Sequence, residues 1–481
     1  MKDLLTQSLR EDILERITPT QEEVDRQHKI ISDLTDAISS LAMKKGFSYS
    51  FIQPQGSTGQ KQTQLRGTSD IDLFVGLNPE DYIDILDLPT KLRNEELDRI
   101  FDNFVDSWFT PALDGLKAAS LQKTYSQHPY LSADYLGNDV DILLCFDLTA
   151  EWIAKEGPIT AVDRTVHHSE YVASRLTSEL RDDIRILKSF IRSCHAYGDT
   201  CAVGRMGFTG VALELLAIWE GGFQNAVKAL IDLKSKSLDP LKRTFDELVK
   251  IPSFKDDHIF IIDPTDTNRN IASSFSKRAY RWITSRAKDL LQDDISNDRI
   301  LDLIIESPIS IVRPPELIEK HLFIHEVQSK KESHYTVVRD KLYRFASRIC
   351  REVSLERTGE PRFGKVTFEI IFDASRFALG FVVEEPEISK TFTRRGPPSN
   401  IPAASNFQAT HPDAYLRDDY LWVDRKRKWT SAGRMIEHLL SANLPKNLEL
   451  LQDRSDIGRR LATILHEIII PLESFPIKAR V

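Results

Sequence analysis

Asp70 and Asp72 stand two apart in Ser69-Asp70-Ile71-Asp72-Leu73-Phe74, a run whose pattern predicts a strand. Side chains two apart on a strand share a face, about 7 Å from each other, and like charges so placed repel unless a cation lies between them. Mg²⁺ takes hard oxygen ligands and keeps positions open for phosphate oxygens, so the pair is a platform for a metal-bound nucleoside triphosphate. About a dozen residues earlier, Gly56-Ser57 follows another predicted strand and opens a short polar, helix-like segment. Glycine lets backbone N–H groups approach a phosphate, a helix N-terminus there adds positive potential, and Ser57 adds a hydroxyl donor. Asp139-Val140-Asp141 is a second set of alternating carboxylates on a third predicted strand. Paired beside the first, that strand completes a set of three carboxylates. Three are enough for two metal ions, one activating an attacking 3′-hydroxyl and one steadying a leaving pyrophosphate. Asp139 competes with Asp141 for the third place, and strand register favours Asp141.

The elements that must hold these groups are legible around them. Residues from about 8 to 46 read as helix, stopped by Gly46, and apolar runs at 49–51, 71–75 and 140–146 read as strands. Residues 88–121 read as helix in two pieces, broken near Pro111. Ile184, Leu187, Phe190, Ile191 and Cys194 make one apolar stripe; 211–219 is a second helix, closed by Gly221-Gly222, and 275–291 a third. From about residue 320, β-branched and aromatic residues gather at 322–327, 365–372 and 377–384, with helix at 336–351 and 456–469. Residues 394–406 carry three prolines among polar residues and read as a loop.

Composition bounds the reading. Hydrophobic residues at 41% and charged residues at 28% are a globular balance, and 481 residues are enough for about two to four domains. The net charge of −8 disfavours a nucleic-acid partner, but it does not locate charge. Arg394-Arg395 and Arg425-Lys426-Arg427-Lys428 are local basic clusters and a weak RNA-binding signal. Cys145, Cys194, Cys201 and Cys350 form no CxxC pair, which argues against a zinc site or disulfide framework and for a reducing cytoplasm. The start of the chain lacks the apolar core of a signal peptide, and no run approaches a membrane span.

The joint pattern of Gly-Ser, a short polar segment and D-I-D-L-F resembles the nucleotidyltransferase superfamily shared by DNA polymerase β, poly(A) polymerases and CCA-adding enzymes. Further stretches are similar to the class I, archaeal CCA-adding enzymes in particular: His128-Pro129-Tyr130, Asp163-Arg164-Thr165-Val166-His167-His168, Ile186-Leu187-Lys188, Ala196-Tyr197-Gly198, Gly207-Phe208-Thr209-Gly210, Asp263-Pro264-Thr265-Asp266-Thr267-Asn268-Arg269-Asn270 and Arg395-Gly396-Pro397-Pro398. They fall in the family's order across most of the chain.

The resemblance implies an α+β multidomain protein. A polymerase β-like nucleotidyltransferase head would span 1–155 and a helical central domain 156–290. An α/β body would comprise 291–349 and 426–481, around a tail at 350–425 that binds the tRNA stem. It implies template-independent addition of CCA to the 3′ end of tRNA from CTP and ATP, with two Mg²⁺ ions and release of pyrophosphate. Asp70, Asp72 and Asp141 match the family's metal-holding catalytic carboxylates, and Gly56 and Ser57 its phosphate-binding turn. His168, Lys188 and Tyr197 match residues that hold the triphosphate and sugar. Arg269 matches an arginine at the incoming base, which together with the tRNA backbone selects C or A. Read without the resemblance, Arg269 is a structural partner of Asp263 or Asp266. Body and tail would grip the acceptor and TΨC stem by backbone shape, which gives Arg394, Arg395, Arg425, Lys426, Arg427 and Lys428 a use. Members of the family are often dimers.

The chain also departs from the pattern. The loop from Ser57 to Leu65 is one residue longer, and the family's basic residue three after the serine is Gln60 here, so Lys61 is expected to take that role. The proline after D-R-T is Val166. Two rivals remain: another RNA nucleotidyltransferase such as a poly(A) polymerase, and a non-catalytic RNA-binding relative. The first should lack the D-R-T and D-P-T-D segments, and the second should have lost a carboxylate. The sequence leaves open whether CCA, CC only or A only is added.

Overall fold

The computed structural model describes residues 4–68, 70–125, 127–330, 334–453 and 455–477, and it divides into two compact units. The first comprises 1–200 with 206–307, and the second 201–205 with 308–481. Among the described residues, no helix is long and apolar enough to cross a membrane.

The first unit opens with α1 (Gln7–Ile17) and α2 (Gln21–Lys45) rather than one long helix. Pro19 interrupts the backbone ladder, and Thr20 starts α2 afresh through a capping box with Glu23. The head sheet contains β1 (Phe51–Pro54) and β2 (Ile71–Leu77). After the crossover helix α3 (Thr90–Phe104) it continues with β3 (Ala119–Tyr125), β4 (Pro129–Tyr135) and β5 (Asn138–Phe146). The strand order is β1-β2-β5-β4-β3, with β2 and β5 parallel and the other pairs antiparallel. The predicted helix at 88–121 ends earlier: 105–109 is a wide π-type turn, Thr110–Gly115 a short helix, and 119–121 already belong to β3. Pro111 follows directly on that widened turn, where the regular helical ladder is already interrupted and its missing N–H does least harm. Buried Trp108 donates from Nε1 to the Ile38 carbonyl at 2.8 Å, fastening the crossover to α2. Ile30, Leu34, Ile38 and Ala42 form the buried face of α2 over Ile71, Leu73, Val140 and Ile142 of the sheet.

The rest of this unit is mainly helical: α4 (Thr165–Ala173), α5 (Ser178–Ser193), α6 (Gly210–Glu220) and α7 (Phe223–Asp232), the two-stranded β6 (Ile262–Asp263) and β7 (Asp266–Asn270), then α8 (Lys277–Leu290) and α9 (Asn297–Ile304). Ile184, Leu187, Phe190 and Ile191 are fully buried, and each such side chain stabilises the fold by about 1.5–3 kcal/mol. Gly221 closes α6 in the left-handed conformation, as its sequence position predicts.

The second unit contains β8 (Leu322–Ser329), α10 (Tyr335–Ser354), β9 (Val366–Asp373), β10 (Arg376–Val383), β11 (Thr391–Pro398), α11 (Ala403–Thr410), β12 (Tyr415–Arg417), β13 (Tyr420–Lys426), α12 (Ala432–Asn443), β14 (Leu448–Leu451) and α13 (Asp456–Thr463). An antiparallel sheet in the order β14-β8-β10-β9 packs against α10 through Val338, Leu342, Phe345 and Ile349. On Gly380 of β10, a Cβ would lie 2.5 Å from Leu465, so glycine is what lets the last helical segment close on the sheet. A separate sheet has the order β11-β13-β12. The predicted loop at 394–406 is therefore a strand and a helix. Pro397 and Pro398 sit where the β11 register slips, and Pro402 precedes α11, positions at which a missing N–H is tolerated.

Candidate active site

Strand register brings the carboxylates together. In the parallel β2–β5 pair Ile71 stands opposite Val140 and Asp72 opposite Asp141, on strands about 4.8 Å apart. Ser132 of β4, the antiparallel partner of Asp141, donates from Oγ to Asp141 Oδ1 at 2.5 Å. Burial, then the charges of Asp141 and Asp70, push the Asp72 carboxyl up to about 6. Burial, then Asp139 and Asp141, push Asp70 up as well. Tyr130 belongs to the same surroundings: burial first, then the Asp141 charge, hold its hydroxyl up at about 12. Among the described residues, no three His, Cys, Asp or Glu side chains converge tightly enough to hold a metal ion as they stand. The donor set is hard oxygen, the chemistry that Mg²⁺ prefers, and Asp72 lies beneath a cradle that only glycine permits.

That cradle is Gly56. Its φ is +70°, and a Cβ there would lie 2.7 Å from Asp72 Oδ2, so no other residue brings the turn over the carboxylate without displacing it. Gln55 N–H donates to the Asp72 carbonyl at 2.8 Å, and Thr58 Oγ1 to the Asp70 carbonyl at 3.2 Å. Residues 56–61 form turns, so the helix N-terminus expected after Ser57 is absent. The reason is local. Gly59 lies against the Pro54 carbonyl, too close for any Cβ, and Gln62 takes a left-handed φ of 49°, so no helical repeat is sustained. One face of α5 holds the loop instead. Arg181 donates to the Lys61 carbonyl at 3.1 Å, Arg185 to those of Gln62 at 2.7 Å and Gln64 at 3.3 Å, and Lys188 to that of Thr63 at 3.2 Å. Positions 181, 185 and 188 align on one side of a helix.

Beneath the loop lies a buried charge cluster. Lys61 Nζ and Lys188 Nζ bind the two oxygens of Glu214 at 2.8 and 2.7 Å, and Thr63 Oγ1 joins them at 2.6 Å from Glu214 and 2.8 Å from Lys188. Burial alone would raise the Glu214 carboxyl, but the Lys188 and Lys61 ammoniums outweigh it and bring it down to about 2. Two cations on one carboxylate leave one positive charge in excess, and Asp72 feels the Lys61 part of it. Tyr197 adjoins the cluster: a Cβ on Gly210 would lie 2.9 Å from its Oη and 3.7 Å from Lys188 Nζ. Burial, then the Glu214 charge, push the Tyr197 hydroxyl up to about 12, so it remains a proton donor. Gln60 is exposed, whereas Lys61 is buried.

His168 and Arg269 form a third group. His168 Nε2 lies 2.6 Å from Asp263 Oδ2, and an Arg269 guanidinium N–H donates to the same oxygen at 3.1 Å. The alternative structural partner of Arg269 is thus present as well. Arg164 pairs with Asp266 at 2.6 Å. Asp163 accepts from the N–H groups of Phe146, Ile159 and Thr160 and from the Thr160 hydroxyl, fastening the end of β5 to the chain that leads into α4. Sequence pattern does not single out Glu214, Arg181 or Arg185, and it offers Asp263 only as one of two partners for Arg269. A glutamate inside the apolar run Val211-Ala212-Leu213-Glu214-Leu215-Leu216 is the one signal it offers, since such a helix buries a carboxylate only against cations.

The basic residues of the second unit divide. The Arg427 side chain is 9% exposed and is tied to Glu356, Ser389, Thr391 and Pro361, so it builds the fold rather than a surface patch. Arg425 pairs with Asp413 and Arg394 lies 3.9 Å from Glu360, while Lys426 and Lys428 are exposed. Arg395 is exposed and lies over the Tyr420 ring, 3.5 Å from its centroid.

The carboxylate repulsion has a measurable consequence. A carboxyl held at about 6 in the fold and near 3.8 when unfolded binds more protons folded, so stability falls as pH rises between about 4 and 6. Asp72→Asn is therefore expected to stabilise the metal-free protein by about 1–3 kcal/mol above pH 6, the gain vanishing below about pH 4. Thermal denaturation in chelator across that range checks this, and parallel curves for variant and wild type would refute it. Added Mg²⁺ should raise the melting temperature of wild type far more than that of the variant.

A mixed sheet with two carboxylate-bearing strands paired in parallel and a glycine turn over Asp72 is the arrangement that the resemblance to polymerase β-like nucleotidyltransferases implies. Residues 182–297 match the family described as tRNA nucleotidyltransferase, second domain. The CCA-adding enzyme of Methanosarcina mazei is 27% identical over 469 residues, covering 92% of each chain. That of Sulfolobus acidocaldarius is 24% identical over 447 residues, covering 90% of this chain and 91% of its own. That of Pyrococcus abyssi is 31% identical over 296 residues, 60% of each. Among solved structures, Cid1 poly(U) polymerase bound to MgATP aligns over 62% of this chain and 98% of that one, at 10% identity and a TM-score of 0.46. The protein is a relative of the archaeal CCA-adding enzymes along nearly its whole length.

Proposed function

We propose that the protein adds CCA to the 3′ end of tRNA from CTP and ATP, without a nucleic-acid template. The observation that carries this reading is the register of Asp72 with Asp141 beneath the Gly56 turn, beside a buried lysine pair with one positive charge in excess. Lys61 and Lys188 share one carboxylate and so carry one positive charge more than Glu214 neutralises, and a triphosphate is an anion that such a pair attracts. Asp70, Asp72 and Asp141 would hold Mg²⁺, which supplies Lewis-acid activation of the 3′-hydroxyl and neutralises charge on the departing pyrophosphate. The Gly56-Ser57 turn offers N–H and hydroxyl donors to the phosphates, and Lys61, Lys188 and Tyr197 fix their far end. The 3′-oxygen of the RNA attacks the α-phosphorus and the bond to the β-phosphate bridge breaks in line, so positioning supplies most of the catalysis. His168 would hold the nucleotide and Arg269 would face its base. The head, central, body and tail division is proposed with the tail reduced to the β11–β13 sheet and its helix, since β9 and β10 share a sheet with β8. Arg394, Arg395, Lys426 and Lys428 would meet the backbone of the acceptor and TΨC stem there.

The test is incorporation of labelled CTP and ATP, singly and together, into tRNA transcripts ending at the discriminator base, at C and at CC, with Mg²⁺ or with EDTA. Metal-dependent addition that stops at CCA is the expected result. Long A-tails on any RNA would mark a poly(A) polymerase, and no incorporation a non-catalytic RNA-binding relative.

A further inference from the structure

His168 and Arg269 come from different elements, α4 and β7, yet meet on one atom. Asp263 is fully buried. Its Oδ2 receives His168 Nε2 at 2.6 Å and Arg269 at 3.1 Å, while its Oδ1 accepts from the Thr265 N–H at 2.9 Å and the Thr265 hydroxyl at 2.7 Å. Four donors occupy the carboxylate and two of them share Oδ2, so the position of that oxygen answers to both partners. The partners differ in access: the His168 side chain is 10% exposed and that of Arg269 is 37% exposed. A guanidinium that moves to meet a differently shaped base therefore pulls on the oxygen that orients the histidine.

We infer that Asp263 is a positioning residue for nucleotide choice, holding His168 and Arg269 on a single carboxylate oxygen so that the fit of the base is transmitted to the grip on the rest of the nucleotide. This rests on the reading of the protein as a CTP- and ATP-using nucleotidyltransferase. Asp263 itself touches no substrate. Its removal loosens binding and selection more than the chemical step, and a merely structural residue would not produce that split.

The experiment measures kcat and KM for CTP and for ATP on tRNA ending at the discriminator base and at CC, for wild type, Asp263→Asn, Arg269→Ala and their double variant. Asp263→Asn is expected to raise KM about tenfold, to change kcat less than about threefold, and to erode the CTP:ATP preference at each end about fivefold or more. The double variant is expected to be little worse than Arg269→Ala alone, because the two changes sever one link. An unchanged preference in a folded Asp263→Asn protein, or effects of the two substitutions that simply multiply, would overturn the inference. His168→Gln is the second arm, independent of whether Asp263→Asn folds: it leaves Arg269 in place yet is expected to shift the CTP:ATP preference, and an unchanged ratio would overturn the inference too. Failure of wild type to incorporate either nucleotide would overturn the proposed function, and with it this inference. Normal wild-type addition with unchanged selectivity in the variants overturns the inference alone.

Discussion

Asp72→Ala is expected to lower nucleotidyl transfer by about 10³-fold or more while leaving tRNA affinity within about twofold. Asp72 stands opposite Asp141 in the strand register and directly under the Gly56 turn, so it meets both the second carboxylate strand and the backbone proposed to bind phosphate. Removing it deletes a proposed metal ligand, whereas the exposed basic residues proposed to meet RNA belong to the second unit. Single-turnover incorporation and equilibrium binding of the same tRNA check the two halves separately. The comparison with β5 is sharper still. Asp141→Ala is expected to match Asp72→Ala, whereas Asp139→Ala, at an exposed position two residues earlier on the strand, should cost less than about tenfold. A reversed order would mean that the wrong carboxylate of the pair completes the set.

Local pattern makes these acids legible in the amino-acid sequence itself. A two-residue period predicts Asp70 and Asp72 on one face, but the strand begins at Ile71 and Asp70 lies just before it, and the parallel β2–β5 pairing that sets Asp72 opposite Asp141 has no signature in either strand alone. The turn at 56–61 is not legible as a turn, because its conformation is decided by contacts outside the segment: a carbonyl of Pro54 against Gly59, and three cations of α5 reaching in from about 120 residues away. Long-range donors of this kind leave no periodic trace. The same holds for 394–406, where prolines suggest a loop by their local chemistry but lie at a strand's slipped end and a helix start set by the neighbouring strand. Arg427 reads with its basic neighbours as one run, yet alternation along the chain after β13 sends it inward to Glu356 while Lys426 and Lys428 stay in water. Resemblance supplies the roles of His168 and Arg269, but the carboxylate that joins them emerges only when β6 is folded back beside α4.

Glu214→Gln is expected to destabilise the protein by about 3–5 kcal/mol, a large share of the roughly 5–15 kcal/mol that holds a domain folded. Gln keeps the volume and the hydrogen-bonding reach of Glu, so packing in α6 is unchanged and the effect is one of charge. With the carboxylate gone, the ammoniums of Lys61 and Lys188 remain buried at 7% and 3% side-chain exposure with no opposite charge between them. The pH dependence follows from the depressed carboxyl. A group at about 2 in the fold and 4.5 unfolded contributes stability that is fully present above about pH 4.5 and is lost as pH falls through about 2. Wild type should therefore lose this contribution across that window, and Glu214→Gln, having nothing to lose there, should converge on it in acid. Urea unfolding with linear extrapolation at several pH values measures both effects. Adding Lys61→Met to Glu214→Gln should recover part of the stability, since one of the two stranded cations is removed. A Glu214→Gln protein within about 1 kcal/mol of wild type at neutral pH would show that the lysines find another anion or give up their protons. The positive charge proposed to meet the triphosphate would then have to come from elsewhere, and Arg181 and Arg185 of α5 already face the same loop.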